Sequence, residues 1–342
     1  MKDQFKQIHP DAFFLDPDDP TAISEYLLAQ GWRDADDPVV AVSSIGEGNM
    51  NLVVRVRTDV RKLVLKQSRP WMESHPELPA PSNRVLVEAR FYEVSAKDAM
   101  LEEIHPTVVG VDVTSSLMVT EDMGEVVDYY DLYAGARLTR GELGELVDYL
   151  AALHAMTPAP DPMLRNDAMR EMNHEQSFTL PLREDNGLAL DLFTEGLAQE
   201  AERLRGNQEL VAAVQNLGER YLAAGERLVH GDYYPGSWVR GHDGLRVLDA
   251  ECAFLGPPEY DVGVMIGHMV LTSQPSPVRV LDEYEGPEGF EPKLAMGFAG
   301  VEVIRRLLGV NQLPLQLGLR QKRLMLIMAT ELILRPDPGL LQ

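Results

Sequence analysis

Along the chain the apolar residues change period twice. Asp18 to Ala29 places Ile23, Tyr26, Leu27 and Leu28 at helical steps behind an Asp18-Asp19-Pro20 start signal and predicts a short helix. From Val39 the period drops to two. Val39 to Ile45, Leu52 to Arg57 and Lys62 to Gln67 are β-branched or alternating runs, broken by the turn Gly46-Glu47-Gly48-Asn49-Met50-Asn51 and by Thr58-Asp59. They predict an antiparallel three-stranded opening. Gln67 to Ser82, with Trp71, Pro76, Pro79 and Pro81, reads as an ordered loop. Helical spacing returns from Asn83 to Lys97 (Val87, Phe91, Val94). After a short strand, Leu117 to Thr120, the sequence is largely helical: Gly141 to Ala155 on Leu143, Leu146, Leu150 and Leu153, two helices within Leu188 to Ala223, and Gly289 to Asn311 on Phe298, Val301, Ile304 and Leu308.

One stretch interrupts the helical part. Arg227 to Val229 reads as a strand, followed by a loop holding Asp232, a strand from Ser237 to Arg240, a His-Asp-Gly turn and a returning strand from Leu245 to Leu248. Asp249, 17 residues after Asp232, and Glu251 stand at the end of that hairpin, so pairing would return three carboxylates to one end. Such a cluster repels itself unless a cation sits in it, and oxygen-only ligands suit magnesium better than zinc. The layout is that of a phosphoryl-transfer site.

In the predicted sheet, Lys66 shares a face with Val64, while Leu63 and Leu65 share the other. A lysine on the third strand is where kinase-like folds hold the α- and β-phosphates; an edge lysine in solvent is the alternative. Gly46, Gly48 and Asn49 are the candidate nucleotide residues of the turn before it, although GEGNMN is neither a full glycine-rich kinase loop nor a Walker motif. Glu88, on the helix after Asn83, is the candidate counter-ion for Lys66, with an exposed surface glutamate as the alternative.

His230-Gly231-Asp232 with Ser237, Asp249-Ala250-Glu251, Gly256-Pro257 and Asp261-Val262-Gly263 together resemble the aminoglycoside phosphotransferase and choline kinase superfamily. The text is most similar to methylthioribose kinases, whose loop reads HGDLHTGS and whose metal motif reads DPE followed by FAFYGP and FDIG; here these are HGDYYPGS, DAE, CAFLGP and YDVG. The departures are Tyr233, Tyr234, Pro235 and Ala250. The resemblance implies an α+β, protein-kinase-like two-lobe fold, with a small antiparallel-sheet N-terminal lobe over residues 1–121 and a mostly helical catalytic lobe over 122–342. It implies ATP and Mg2+ as cofactors and a hinge after Leu117 to Thr120 where adenine bonds to the main chain. It also implies residue roles: Asp232 as catalytic base, Asp249 with Glu251 on the metal, His230, Ser237 and Asp261 as structural support, and Tyr233 at the substrate. Methylthioribose kinases carry an arginine pair similar to Arg305-Arg306. Consecutive residues stand about 100° apart on a helix and cannot both lie at the centre of one stripe, so at least one arginine is expected at the substrate or transition state, with the other at a neighbouring wall or a carboxylate.

Charge and composition narrow the partners. A net charge of −23 without a basic stripe opposes nucleic acid and anionic membranes. One cysteine, Cys252, excludes an intramolecular disulfide framework and is compatible with a reducing cytoplasm, and the N-terminus shows no secretory signal. The expectation is a cytoplasmic small-molecule kinase, alone or as a homodimer. An aminoglycoside-, choline- or homoserine-type phosphotransferase and a non-catalytic nucleotide-binding protein remain open beside the sugar kinase.

Overall fold

The computed structural model describes residues 1–45, 50–242, 244–310 and 312–342. The chain divides into two compact units, Met1–Val126 with Leu248–Cys252, and Val127–Val247 with Ala253–Gln342.

In the first unit, helices α1 (Lys2–Ile8) and α2 (Pro20–Ala29) precede strands β1 (Val39–Ser44), β2 (Leu52–Thr58) and β3 (Lys62–Gln67). A short hairpin, β4 (Trp71–Met72) and β5 (His75–Pro79), occupies the proline-bearing stretch read as a loop. Helices α3 (Arg84–Ser95) and α4 (Ala99–Ile104) then lead to β6 (Val108–Asp112) and β7 (Leu117–Glu121). The expected three strands form part of a five-stranded antiparallel sheet, ordered β1-β2-β3-β7-β6.

Helix α2 starts as its sequence dictates, the Asp19 carboxylate accepting from the Ala22 N–H with Pro20 in the first turn. Ile23 and Leu27 pack on Val54, Val56, Leu63, Leu65, Leu117 and Val119 to form the core of this unit. Leu28, assigned above to the same face, is exposed instead, one step of about 100° past Leu27. The two-residue period puts Leu63 and Leu65 in that core and turns Lys66 the other way. Since β3 is flanked by β2 and β7, Lys66 opposes Val53 and Met118 in mid-sheet and is 7% exposed, which removes the edge-lysine alternative.

The second unit opens with the short strand β8 (Val127–Asp128) and helix α5 (Arg140–Ala155), which is closed by a reciprocal Thr139–Glu142 capping box. Helices α6 (Asp167–His174), α7 (Leu197–Arg205) and α8 (Gln208–Leu222) follow. The anticipated hairpin forms from β10 (Trp238–Gly241) and β11 (Gly244–Val247), after strand β9 (Arg227–Val229), with β8 on its outer side. Strand β12 (Phe254–Gly256) returns antiparallel to β9 and opens into α9 (Glu259–Leu271). Helices α10 (Arg279–Glu283), α11 (Pro292–Leu308) and α12 (Leu319–Leu334) complete the unit.

Helix α11 is buried on every side, well beyond the stripe its spacing suggested, because α9 and α12 both pack against it. Glycines make that approach close. A Cβ on Gly263 would lie 2.6 Å from the Ala295 carbonyl oxygen, and one on Gly300 would lie 2.5 Å from that of Ala329. Among the described residues no helix is long and apolar enough to cross a membrane.

Candidate active site

In the first unit the chemistry gathers on Lys66. Its Nζ lies 2.6 Å from a Glu88 carboxylate oxygen, delivered by α3, and 2.6 Å from Asp249 Oδ1. Glu88 is 3% exposed and accepts at 2.9 Å from the Tyr92 hydroxyl one turn later, so the surface-glutamate alternative is also removed. Burial works against the Lys66 charge, but the carboxylates of Asp249, Glu88 and Glu251 outweigh it and raise the ammonium above its ordinary range. Burial pushes the Glu88 carboxyl up to about 7, against the pull of Lys66, with Asp249 and Glu251 adding repulsion.

Asp249 follows β11 with φ of +63°, a left-handed conformation that Asp tolerates better than most residues. Its side chain is 55% exposed. Glu251, in the short 3-10 turn Ala250–Cys252, is nearly buried. It accepts from Asn51 Nδ2 and lies 3.8 Å from Arg84 Nε; burial raises its carboxyl, opposed by Lys66 and Arg84. Arg84 is fully buried at the start of α3 and donates to Asn51 Oδ1 and to the carbonyls of Met50, Arg69 and Pro81. It thereby fixes the backbone that follows the glycine turn. Neither Asn51 nor Arg84 was a candidate from the sequence, where Asn51 reads as a turn residue. Gly46, Gly48 and Asn49 lie outside the described residues.

An oxygen-only set suits a hard cation that keeps phosphate or water ligands alongside one or two carboxylates. Asp249 would suit that role with its exposed carboxylate, whereas Glu251 is held by Asn51 and would have to release it to reach an ion. Among the described residues no group of three or more His, Cys, Asp or Glu side chains forms a ready cage.

In the second unit the loop after β9 is held from beneath. Asp261, fully buried in the first turn of α9, accepts from the N–H groups of His230 (2.6 Å) and Gly231 (2.9 Å). His154 of α5 meets Asp261 at 3.2 Å through Nε2, and its Nδ1 meets the Tyr284 hydroxyl at 2.6 Å. Within the loop, the Ser237 hydroxyl lies 3.0 Å from the Asp232 carbonyl and 2.9 Å from that of Tyr234, and accepts from the Tyr234 N–H. Gly231, with φ of +81°, supplies the bend. The backbone of His230, Asp261 and the Ser237 hydroxyl thus support the loop and leave Asp232 at its crest, with a side chain 31% exposed.

Two assignments change in this unit. Tyr233 is not at a substrate surface: it is fully buried, stacks on Tyr149 and donates to the Leu146 carbonyl at 2.9 Å. Its neighbour Tyr234 faces the opposite way, beneath the Arg306 guanidinium. The arginine pair does not divide its duties either. Arg305 and Arg306 both bring Nη2 to 3.3 Å from Asp232 Oδ1. Angular separation at the backbone does not prevent this, because each guanidinium ends a long flexible stem.

Both arginines are anchored on Glu302, one turn earlier. Its carboxylate is 2.9 Å from Arg305 Nε and 2.7 Å from Arg306 Nε, and it accepts from His268 Nε2 at 2.9 Å. Burial would raise the Glu302 carboxyl, but the two guanidiniums and His268 hold it well below its usual range. His268 Nδ1 is 2.8 Å from the Tyr133 hydroxyl, the arrangement of a neutral ring that donates from Nε2 and accepts at Nδ1. Burial depresses the His268 pKa from 6.5 to about 4, against the hydrogen bond and charge of Glu302.

The linkage of His268 to stability has a definite sign. Between pH 6.5 and 4 the unfolded chain binds the proton that the folded ring refuses, so this stabilisation is present above 6.5 and is lost as pH falls. The shift corresponds to on the order of 3 kcal/mol. Glu88 acts in the opposite direction between about 4.5 and 7. The expected result is therefore a difference: His268→Gln should lose less stability than the wild type between pH 7 and pH 4.5 in urea unfolding. Parallel curves would contradict it.

Residues 41–295, well over half of the chain, match the model of the phosphotransferase enzyme family. The methylthioribose kinase of Pectobacterium atrosepticum is 27% identical over 261 residues, covering 72% of this chain and 64% of that enzyme. The methylthioribose kinase of Exiguobacterium sibiricum is 26% identical over 323 residues, covering 80% of each. The chain thus spans just under two thirds of the length of the first of these relatives. The crystal structure of a choline kinase from Streptococcus pneumoniae superposes with a TM-score of 0.51 at 11% identity, covering 91% of this chain and 97% of the other. That likeness establishes the kinase-like α+β fold. With its family model matched from the first sheet through the loop and into α11, the chain belongs to the phosphotransferase enzyme family.

Proposed function

We propose that this chain is an ATP-dependent kinase that transfers the γ-phosphoryl group to a hydroxyl of a small sugar-like acceptor, with 5-methylthioribose, and hence methionine salvage, as the first candidate. The observation that supports it most directly is Asp232, braced by Asp261 and Ser237 and flanked at 3.3 Å by two buried guanidiniums. In this reading the Asp232 carboxylate takes the acceptor hydroxyl proton as that oxygen bonds to the γ-phosphorus. The bond from the γ-phosphorus to its bridging oxygen breaks, and ADP leaves with the electron pair. Arg305 and Arg306 stabilise the charge on the transferred group, and Lys66, held by Glu88, contacts the α- and β-phosphates. Asp249 and Glu251 would hold Mg2+, which when bound offsets the phosphate charge.

The likeness to methylthioribose kinases supports the acceptor class. A cationic acceptor such as choline or an aminoglycoside is the second reading, and the guanidiniums beside Asp232 weigh against it because like charges repel. ATP consumption measured against methylthioribose, ribose, choline, homoserine and aminoglycosides separates them. Preference for choline or an aminoglycoside ends the sugar-kinase reading, and no turnover with any acceptor ends the kinase reading itself. Asp249→Asn should weaken magnesium-dependent nucleotide binding and turnover together, and an unchanged magnesium titration would remove Asp249 from the metal.

A further inference from the structure

The cluster beneath Asp232 contains more charge than general-base chemistry requires. Two guanidiniums from consecutive residues are buried with Nη2 atoms on the same carboxylate oxygen, and their mutual repulsion works against the arrangement. A buried charge needs a partner to remain ionised. Glu302 provides it, contacting both Nε atoms at 2.9 and 2.7 Å, closer than either guanidinium comes to Asp232. Its charge and that of Asp232 balance the two arginines, while His268 donates to Glu302 as a neutral ring and Tyr133 completes the chain. The Ser177 hydroxyl lies 3.4 Å from the outer edge of Arg305.

We infer that Glu302 is a positioning residue for phosphoryl transfer: it holds Arg305 through Nε and Nη2 and Arg306 through Nε, and so sets how closely their Nη2 atoms approach Asp232. The inference rests on the kinase reading above. Two functions follow from the difference in distance. Because the guanidiniums lie closer to Glu302 than to Asp232, they are shared between the two carboxylates instead of being paired with Asp232 alone. The same anchoring holds both guanidiniums in a fixed orientation for donation to phosphoryl oxygens. Glu302 reaches neither the acceptor nor the nucleotide in this scheme and acts only through the two arginines.

Glu302→Gln keeps the shape of the side chain and removes its charge. The guanidiniums should then transfer to Asp232, with kcat falling about tenfold to a hundredfold and the KM for ATP within about twofold of the parent. A parent-like kcat in the folded variant overturns the inference. Glu302→Asp covers the case in which Gln prevents folding: it retains the charge but withdraws the carboxylate by one methylene, and should also lower kcat without changing the KM for ATP. A Glu302→Asp enzyme with parent-like kcat equally overturns it. The crystal structure of either variant supplies a measurement that does not depend on activity. Movement of the guanidiniums relative to Asp232 supports the inference, and both Nη2 atoms remaining 3.3 Å from Oδ1 contradicts it. If the parent protein phosphorylates no acceptor, the kinase reading fails while that structural result still stands or falls separately.

Discussion

Asp232→Asn is expected to reduce phosphoryl transfer by about 10²–10⁴-fold while leaving nucleotide binding nearly unchanged. The amide preserves the shape of the side chain and the Asp261 and Ser237 contacts, which are all made to the loop backbone. It cannot take a proton, and it presents no charge to the two guanidiniums. Because Lys66, Glu88 and Asp249 belong to the other unit, nucleotide affinity should be retained. Stopped-assay kcat with a parallel titration of magnesium-ATP tests both parts. Near-parental turnover would remove Asp232 from the mechanism, and a proportional loss of nucleotide affinity would assign it to a different step.

The second large effect is expected at the arginines. Loss of a donor that acts on transition-state charge typically costs about 2.7–4 kcal/mol, or about 10²–10³ in rate. The sequence alone suggested that at least one of the pair would respond. With both guanidiniums at 3.3 Å from Asp232, Arg305→Ala and Arg306→Ala are both expected to show kcat reduced on that scale. Each truncation also leaves Glu302 with one cation fewer in a buried setting, so melting temperatures must accompany the rates. Two folded variants with ordinary kcat would mean that the arginines serve packing only.

How much of this was legible follows from what kind of information each residue carries. Lys66 was readable because a two-residue period alone decides which face of a strand a side chain occupies, and Leu63 and Leu65 fixed the other face. Glu88 was readable from the same need for a counter-ion in a buried setting. Asp232 and Asp261 came from local motif text, and the hairpin between them from turn chemistry. Asn51 and Arg84 were missed because their significance lies in pairing across the sequence: Asn51 meets a carboxylate 200 residues away. Tyr233 and Tyr234 point to opposite sides of one loop, and nothing in the text YY says which side is core. Glu302 did leave a signal that went unused. A glutamate three and four positions before two arginines on a predicted helix puts all three side chains within reach.

The return of Leu248–Cys252 to the first unit bears on the order in which the protein can be assembled during synthesis. Lys66 and Asp249 are 183 residues apart, so the ribosome delivers the lysine and its sheet long before one of its two carboxylate partners exists. Over that interval Glu88, only 22 positions away, is the partner already at hand, and the buried Arg84 lacks Glu251. Contacts of such long separation close late, because loop entropy must be overcome before they can form. The N-terminal unit is therefore the first to emerge and cannot be the first to finish: its charge balance is completed only after most of the helical unit has been made.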